Sequence, residues 1–325
     1  MITRIIGLLL AVVLAVITQI ATGSAQPAAK VHRVGLVALG PEDQLSWPQW
    51  HVFISRLAEL GYVEGKNVKF EPRWSGDTYH RVPEFLAELE GNGVDVIFAP
   101  GSKLARVLQS VVRKTPLVVY SCDAFDHVST LARHGSNVTG VTCMTSELTA
   151  KRLEIFKEAV PAASRIMFFS EPEDSPSGLK RAQEAAPRLN ISLPTVGFWS
   201  RADVPRALGV VAKERPDALF VYPDPIAFLE MERITEFALK QRLPSMYAFR
   251  NFVDAGGLMS YGANNNDMFR LAAEQCARIL GGKAPSDVPM LQATRFELVV
   301  NLKTAKALGL TMPAPVLKRA DHVIE

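Results

Sequence analysis

Short apolar runs alternate with helix-patterned segments along most of the chain, and this alternation restricts the fold more than any other feature. Strands are read at Arg33–Leu39, Val68–Trp74, Val94–Ala99, Leu117–Ser121 and Val138–Cys143. Between them, Ser46 reads as a helix cap, with Pro48 in the first turn and Gln49 completing a capping box. Trp50, Phe53, Leu57 and Leu60 then share one face, and Gly61 ends the helix. Helical patterns follow at Pro83–Glu90 and Ser102–Lys114. Continuous Val/Ile/Leu/Phe runs mark strands buried on both faces, which calls for a parallel sheet covered by helices.

The same grammar restarts in the second half. Strands are read at Arg165–Ser170, Leu193–Phe198, Ala218–Tyr222, Ser245–Phe249 and Leu258–Tyr261, with helices near Ser177–Leu189, Val204–Arg215 and Ile226–Arg242. Two local echoes recur in the same order. The run from Val94-Asp95 to Pro100 matches that from Pro216-Asp217 to Pro223, and Thr115-Pro116-Leu117 matches Leu243-Pro244-Ser245. The expectation is an α/β chain of two similar, doubly wound parallel-sheet lobes.

Length agrees: 325 residues suit two domains of about 150 each. With 48% hydrophobic and 21% charged residues, wholesale disorder is excluded. The net charge of +3 comes without a basic run, so no nucleic-acid partner is expected. Three cysteines are too few and too scattered for a disulfide framework or a CxxC zinc site. Cys122 and Cys143 end neighbouring strands, so a disulfide is possible there, but two buried free thiols are the default expectation, with Cys276 on a helix face.

The N-terminus reads as a sorting signal. Arg4 precedes the uncharged run Ile5–Ile17, and Gly23-Ser24-Ala25 resembles a cleavage site. Thirteen residues rise about 20 Å as a helix, short of the roughly 30 Å hydrocarbon core. The expectation is a signal peptide over residues 1–25, cut near Gln26, with a membrane anchor as the competing reading. The remaining 300 residues would work in the periplasm.

Catalytic and cofactor signatures are missing. Gly35–Gly40 continues into Pro41-Glu42 with no Lys-Ser/Thr for a phosphate, and no GxGxxG, HExxH or GxSxG occurs. Asp123, Asp126, His127 and His134 match no standard metal spacing. No cofactor, no metal and no enzymatic activity are expected.

Ligands of such sheets bind beyond the carboxyl ends of the strands, and two lobes facing each other there form a cleft that closes by hinge motion. The loops that matter are Gly40–Trp47, Gly101-Ser102, Cys122–Asp126, Glu171–Ser177, Tyr222–Asp224, Phe249–Asn251 and Tyr261–Asn266.

Several long motifs stand in one order: Leu60-Gly-Tyr-Val-Glu-Gly-Lys-Asn67, Pro72-Arg-Trp74, Val94-Asp-Val-Ile97, Asn137-Val-Thr-Gly-Val141 and Lys151-Arg-Leu-Glu154. Ala255-Gly-Gly-Leu-Met-Ser-Tyr-Gly262 and the run Phe296–Gly309 continue them. Together they resemble a bacterial family of ABC-transporter substrate-binding proteins. The family is of the tryptophan-binding type, with the type 1 periplasmic-binding fold related to Leu/Ile/Val-binding proteins. The resemblance implies a three-crossing hinge, with crossings near 143, 262 and 290. Lobe 1 would then take 26–143 plus 263–290, and lobe 2 would take 144–262 plus 291–325. It also implies a monomer that captures a small solute and delivers it to an inner-membrane permease served by an ATPase. A periplasmic ligand sensor signalling to a membrane receptor is the alternative. The chain departs from the family between Cys122 and Gly140, where residues are missing and His134 replaces a proline.

By position in that fold, the loop after the third strand holds a ligand carboxylate. Gly101 and Ser102 stand there, and Ser102 reads equally as a plain helix cap. Asp123 and Asp126 could receive an ammonium or hydroxyl, or simply make Asx-turns. Asp224, between Pro223 and Pro225, is a ligand carboxylate or a cap, and Glu173 occupies the corresponding loop of the preceding strand. Trp47, Tyr222, Tyr247, Phe249 and Tyr261 could stack on a planar ligand or fill the core. Arg250 pairs with a ligand carboxylate or stays solvated at the rim. Together these loops lean toward an amino-acid-like or aromatic solute.

Overall fold

The computed structural model describes residues 30–41, 45, 47–111, 114–122, 137–172 and 176–325; the expected leader, 1–25, lies outside the described residues. The strand runs resolve into two sheets. The first takes β1 (His32–Ala38), β2 (Val68–Trp74), β3 (Val96–Pro100), β4 (Leu117–Ser121), β5 (Val138–Thr142) and β11 (Leu291–Gln292), ordered β11-β5-β4-β3-β1-β2 and parallel throughout. The second takes β6 (Ile166–Ser170), β7 (Thr195–Gly197), β8 (Ala218–Val221), β9 (Ser245–Tyr247), β10 (Met259–Ala263), β12 (Phe296–Asn301) and β13 (His322–Ile324), ordered β13-β12-β10-β9-β8-β6-β7. Only β10 and β12 run antiparallel within it. This is the expected α/β architecture of two parallel-sheet lobes.

The chain passes between the sheets after Thr142, after Ala263 and after Gln292. The third passage lies beyond the expected 290, because Leu291 and Gln292 still pair with Val141 and Thr142 of β5.

The sequence echoes are structural equivalents. Asp95 Oδ2 accepts the Arg33 backbone N–H at 2.8 Å, and the Asp95 N–H returns a bond to the Arg33 carbonyl at 2.8 Å. Asp217 repeats both bonds with Arg165, each at 2.8 Å. One strand further, Ile97 N–H donates to the Pro116 carbonyl and Leu219 N–H to the Pro244 carbonyl, both at 2.9 Å. In each lobe one aspartate thus pins the start of the first strand to the third.

Several helices differ from expectation. The first runs Pro48–Glu59 with Trp47 at the N-cap and no side-chain cap bond; Ser46 lies outside the described residues. Trp50, Phe53 and Leu57 are buried as its spacing predicts, but Leu60 falls at the exposed C-cap. The segment read as one helix over Ile226–Arg242 is two, Pro225–Leu229 and Met231–Lys240, broken at Glu230. The Glu230 carboxylate is buried and accepts from Arg201 and Arg233, each at 2.7 Å, which holds the break in place. Helix Thr145–Ala159 carries no clean apolar stripe because its buried face includes Thr145, Ser146, Thr149 and Arg152. Arg152 is fully buried over Phe220 and donates from Nε to the Tyr261 carbonyl at 2.8 Å; burial lowers its pKa to about 10.

Aromatic rings fill both lobes. Phe53 stacks on Phe98 at 4.5 Å between centroids in the first, and Phe168 on Phe220 at 5.5 Å in the second.

Candidate functional site

The carboxyl ends of β1, β3 and β4 in the first lobe face those of β8 and β9 in the second, and one cavity lies between them. Its volume of about 120 Å³ suits one small metabolite, since a single water occupies roughly 10–15 Å³ on the same measure. The lining is mostly apolar with a few polar groups, the usual composition of a small-molecule site.

Five of the expected residues meet there: Trp47, Gly101, Ser102, Asp224 and Phe249. Gly101 takes φ +117°, a conformation that favours glycine, and so turns the chain from β3 into helix Ser102–Val111. Ser102 is buried, and its Oγ accepts from Ser121 Oγ at 3.0 Å and from the Cys122 N–H at 3.1 Å. Those bonds occupy both hydroxyl lone pairs and leave the Ser102 proton to donate to a bound acceptor. Asp224 is buried and caps helix Pro225–Leu229, with Oδ1 accepting the Ala227 N–H at 2.8 Å. Capping and lining coexist in one carboxylate.

Trp47 of the first lobe and Phe228 of the second bring their ring centroids within 6.1 Å, tilted by 38°, as two aromatic walls. Phe228 was hidden from sequence reading by its place within a helix pattern. Gln49, expected in a capping box, instead lines the cavity. Asn265 also lines it, accepting from Tyr120 OH on Oδ1 at 3.0 Å and keeping its amide donors for other use. Burial raises the Tyr120 phenol, so the hydroxyl stays a neutral donor. Phe269 reaches the cavity from the same helix as Asn265, Asn265–Leu280.

Other expected residues fall elsewhere. Tyr222 is buried against Phe168 at 5.7 Å, Tyr247 stacks on Phe252 at 4.7 Å, and Tyr261 packs on the second-lobe core. Arg250 pairs with Asp254 of its own helix at 3.2 Å and stays at the surface. Asp123, Asp126 and Glu173, with His127 and His134, lie outside the described residues. Among the described residues no group of three His, Cys, Asp or Glu side chains is placed to hold a metal ion.

The cysteine expectation is corrected. Cys122 and Cys143 form a disulfide with Cα atoms 4.9 Å apart, because Ser121 and Thr142 pair in parallel register and the next residues leave the sheet side by side. Cys122 lines the cavity, and Cys276 remains free and buried, its thiol pushed up by burial.

Contacts beside the cavity also join the lobes. Lys103 Nζ meets Glu171 Oε1 at 3.1 Å, and Arg201 Nη1 meets Asp77 Oδ1 at 3.3 Å.

Comparison with known proteins places this geometry. A family model described as ABC transporter substrate binding protein matches residues 50–324. The tyrosine-binding protein of Clostridioides difficile (strain R20291) is 22% identical over 263 residues, which is 79% of this chain and 75% of that protein. An ABC domain from Streptococcus pneumoniae in complex with L-Trp superposes with TM-score 0.81 at 22% identity, covering 90% of this chain and 99% of that one. The ligand-free, open structure of a substrate-binding protein with adhesive properties from Clostridium difficile gives TM-score 0.62 at 20% identity, with coverage of 90% and 99%.

Proposed function

The chain belongs to the ABC transporter substrate-binding protein family, and we propose that it is the periplasmic solute-binding component of an ABC importer, closing on a small aromatic amino acid or a close analogue. The observation that carries this reading is the cavity between the carboxyl edges of the two sheets, with Ser102 on one wall and Asp224 on the other. A free hydroxyl proton on Ser102 suits a ligand carboxylate, and the Asp224 carboxylate suits an ammonium. Trp47 and Phe228 supply apolar walls for a ring. The name of the tyrosine-binding relative and the L-Trp bound in the pneumococcal structure agree with that choice.

In this reading residues 1–25 are removed on export and the mature protein works as a monomer. The first lobe takes the segment from Asn264 to Gln292. Ligand contacts to both lobes favour the closed form, which a permease recognises, and the solute leaves chemically unchanged.

The test is a thermal-shift screen of the mature, ligand-stripped protein against the twenty amino acids and their aromatic analogues. Tyrosine, tryptophan or phenylalanine at 100 times its Kd should add about 3 kcal/mol of stability. Mass spectrometry of the released compound should find it intact. A flat screen, or recovery of an altered product, overturns the proposal.

A further inference from the structure

Two carboxamides, those of Gln49 and Asn265, line the cavity alongside its apolar walls. Helices Pro48–Glu59 and Asn265–Leu280 cover one face of the first sheet, where Trp50, Phe53 and Phe269 share an apolar cluster with Val34, Phe98 and Tyr120. Helices Val82–Gly91 and Ser102–Val111 cover the other, where Leu86, Leu104 and Leu108 cluster with Ile97, Ala99 and Val119. The cavity lies over the carboxyl edge of that sheet, so Ser102 enters it from one face and the two carboxamides from the opposite one. Asp224 goes with Ser102, because their neighbours Pro225 and Gly101 approach closely across the cleft. The groups that suit an amino-acid head thus gather at one end, and neutral carboxamides at the other.

Gln49 is 4% exposed, and among the described residues its carboxamide has no hydrogen-bond partner. A buried amide in that condition is costly unless something entering the cavity satisfies it. Asn265 is half engaged: Oδ1 accepts from Tyr120 OH at 3.0 Å, and the Nδ2 donors remain. Trp50 and Phe269, with ring centroids 5.4 Å apart, make the floor beside them aromatic, and such surroundings strengthen a hydrogen bond. Asp224 is the one charged side chain among the described lining residues. A charged group brought to the carboxamides would therefore lose its water and gain no counter-charge. A neutral group that both donates and accepts suits them, giving a proton to Gln49 Oε1 and accepting from Asn265 Nδ2.

We propose that Gln49 and Asn265 form a second recognition point of the cavity, which reads a hydroxyl on the ring of the bound amino acid and so selects a phenol over a plain phenyl ring. The inference rests on the aromatic-amino-acid reading above and narrows it. Trp47 and Phe228 hold a ring of either kind, so discrimination falls to the carboxamides. Phenylalanine strips Gln49 of solvent and leaves it unpaired, whereas tyrosine supplies the missing partner.

Calorimetric titration of the mature, ligand-stripped protein with L-tyrosine and L-phenylalanine gives the ratio of their affinities. The parent should prefer tyrosine by about tenfold or more. Gln49→Met, close in size and free of polar hydrogens, should bring that ratio to about threefold or less and bind phenylalanine at least as tightly as the parent. Asn265→Leu is made together with Tyr120→Phe, so that no phenol is left buried without its acceptor, and should lower the ratio likewise. A general loss of packing would instead weaken both ligands together and leave the ratio unmoved. Circular dichroism melts confirm that each variant is folded. A parent ratio near one or below, or a ratio unchanged in either folded variant, overturns the proposal and leaves the aromatic-amino-acid reading standing. Binding of neither compound by the parent overturns both.

Discussion

Gly101 and Pro225 belong to opposite lobes, yet a Cβ on Gly101 would stand 3.0 Å from the Pro225 Cγ. The glycine at this point is needed twice, once for its φ of +117° and once for the approach of the facing lobe. Gly101→Ala should cost about 1–3 kcal/mol of stability through the strained backbone and should also weaken ligand binding by propping the cleft. Adding Pro225→Ala should restore part of the affinity and none of the stability, as read by calorimetric titration and urea melts.

Phe228 is the second-lobe half of an aromatic wall, facing Trp47 at 6.1 Å. Phe228→Ala should lower the affinity for an aromatic amino acid about fivefold or more, since such ring contacts contribute roughly 0.5–1.5 kcal/mol beyond area burial. Ligand binding to the parent should change the intrinsic tryptophan fluorescence, and titration of both proteins gives the two affinities.

Asp224 offers a way to separate capping from recognition. Asparagine caps a helix as well as aspartate does, so Asp224→Asn should melt near the parent temperature. Its affinity for an amino acid should nevertheless fall by about tenfold or more through loss of the charge-assisted bond. Asp224→Ala should lose about 1 kcal/mol of stability as well. Equal binding by parent and Asp224→Asn removes the ammonium role.

The bond between Cys122 and Cys143 closes a loop with a sequence separation of 21. Constraint of the unfolded chain by a loop of that length is worth about 3 kcal/mol. The double Cys→Ser variant should lose stability on that scale in urea melts, and the parent treated with dithiothreitol should match it.

Asp217 accepts backbone N–H bonds from Ser164 and Arg165 and a bond from the Ser164 hydroxyl, and these hold its carboxyl below the ordinary range. A depressed folded-state pKa stabilises the fold above the unfolded value of about 3.9 and loses that contribution as pH falls through the folded value. The melting temperature of Asp217→Asn should lie below the parent at pH 7, and the gap should narrow steadily on acidification toward about pH 2. A gap independent of pH excludes this linkage.

The two-lobe plan was legible because parallel strands buried on both faces must be continuously apolar, and β4 and β6 stand nearly where their runs of Leu, Val, Ile and Phe begin and end. The equivalence of Asp95 and Asp217 was legible for a related reason: each lobe needs the same polar link between its first and third strands. Which side chains enter the cavity was decided by tertiary structure alone. Tyr222 and Asp224 differ by two residues, yet one packs on Phe168 in the lobe interior and the other faces the cleft. Strand alternation says nothing about which face a residue takes when both faces are apolar, and a proline on either side of Asp224 ends the alternation. Gln49 and Asn265 come together only because helices Pro48–Glu59 and Asn265–Leu280 pack side by side on the first lobe. The periodicity of either helix marks its buried stripe, but the partner that completes a polar site is chosen by packing between segments far apart in the chain.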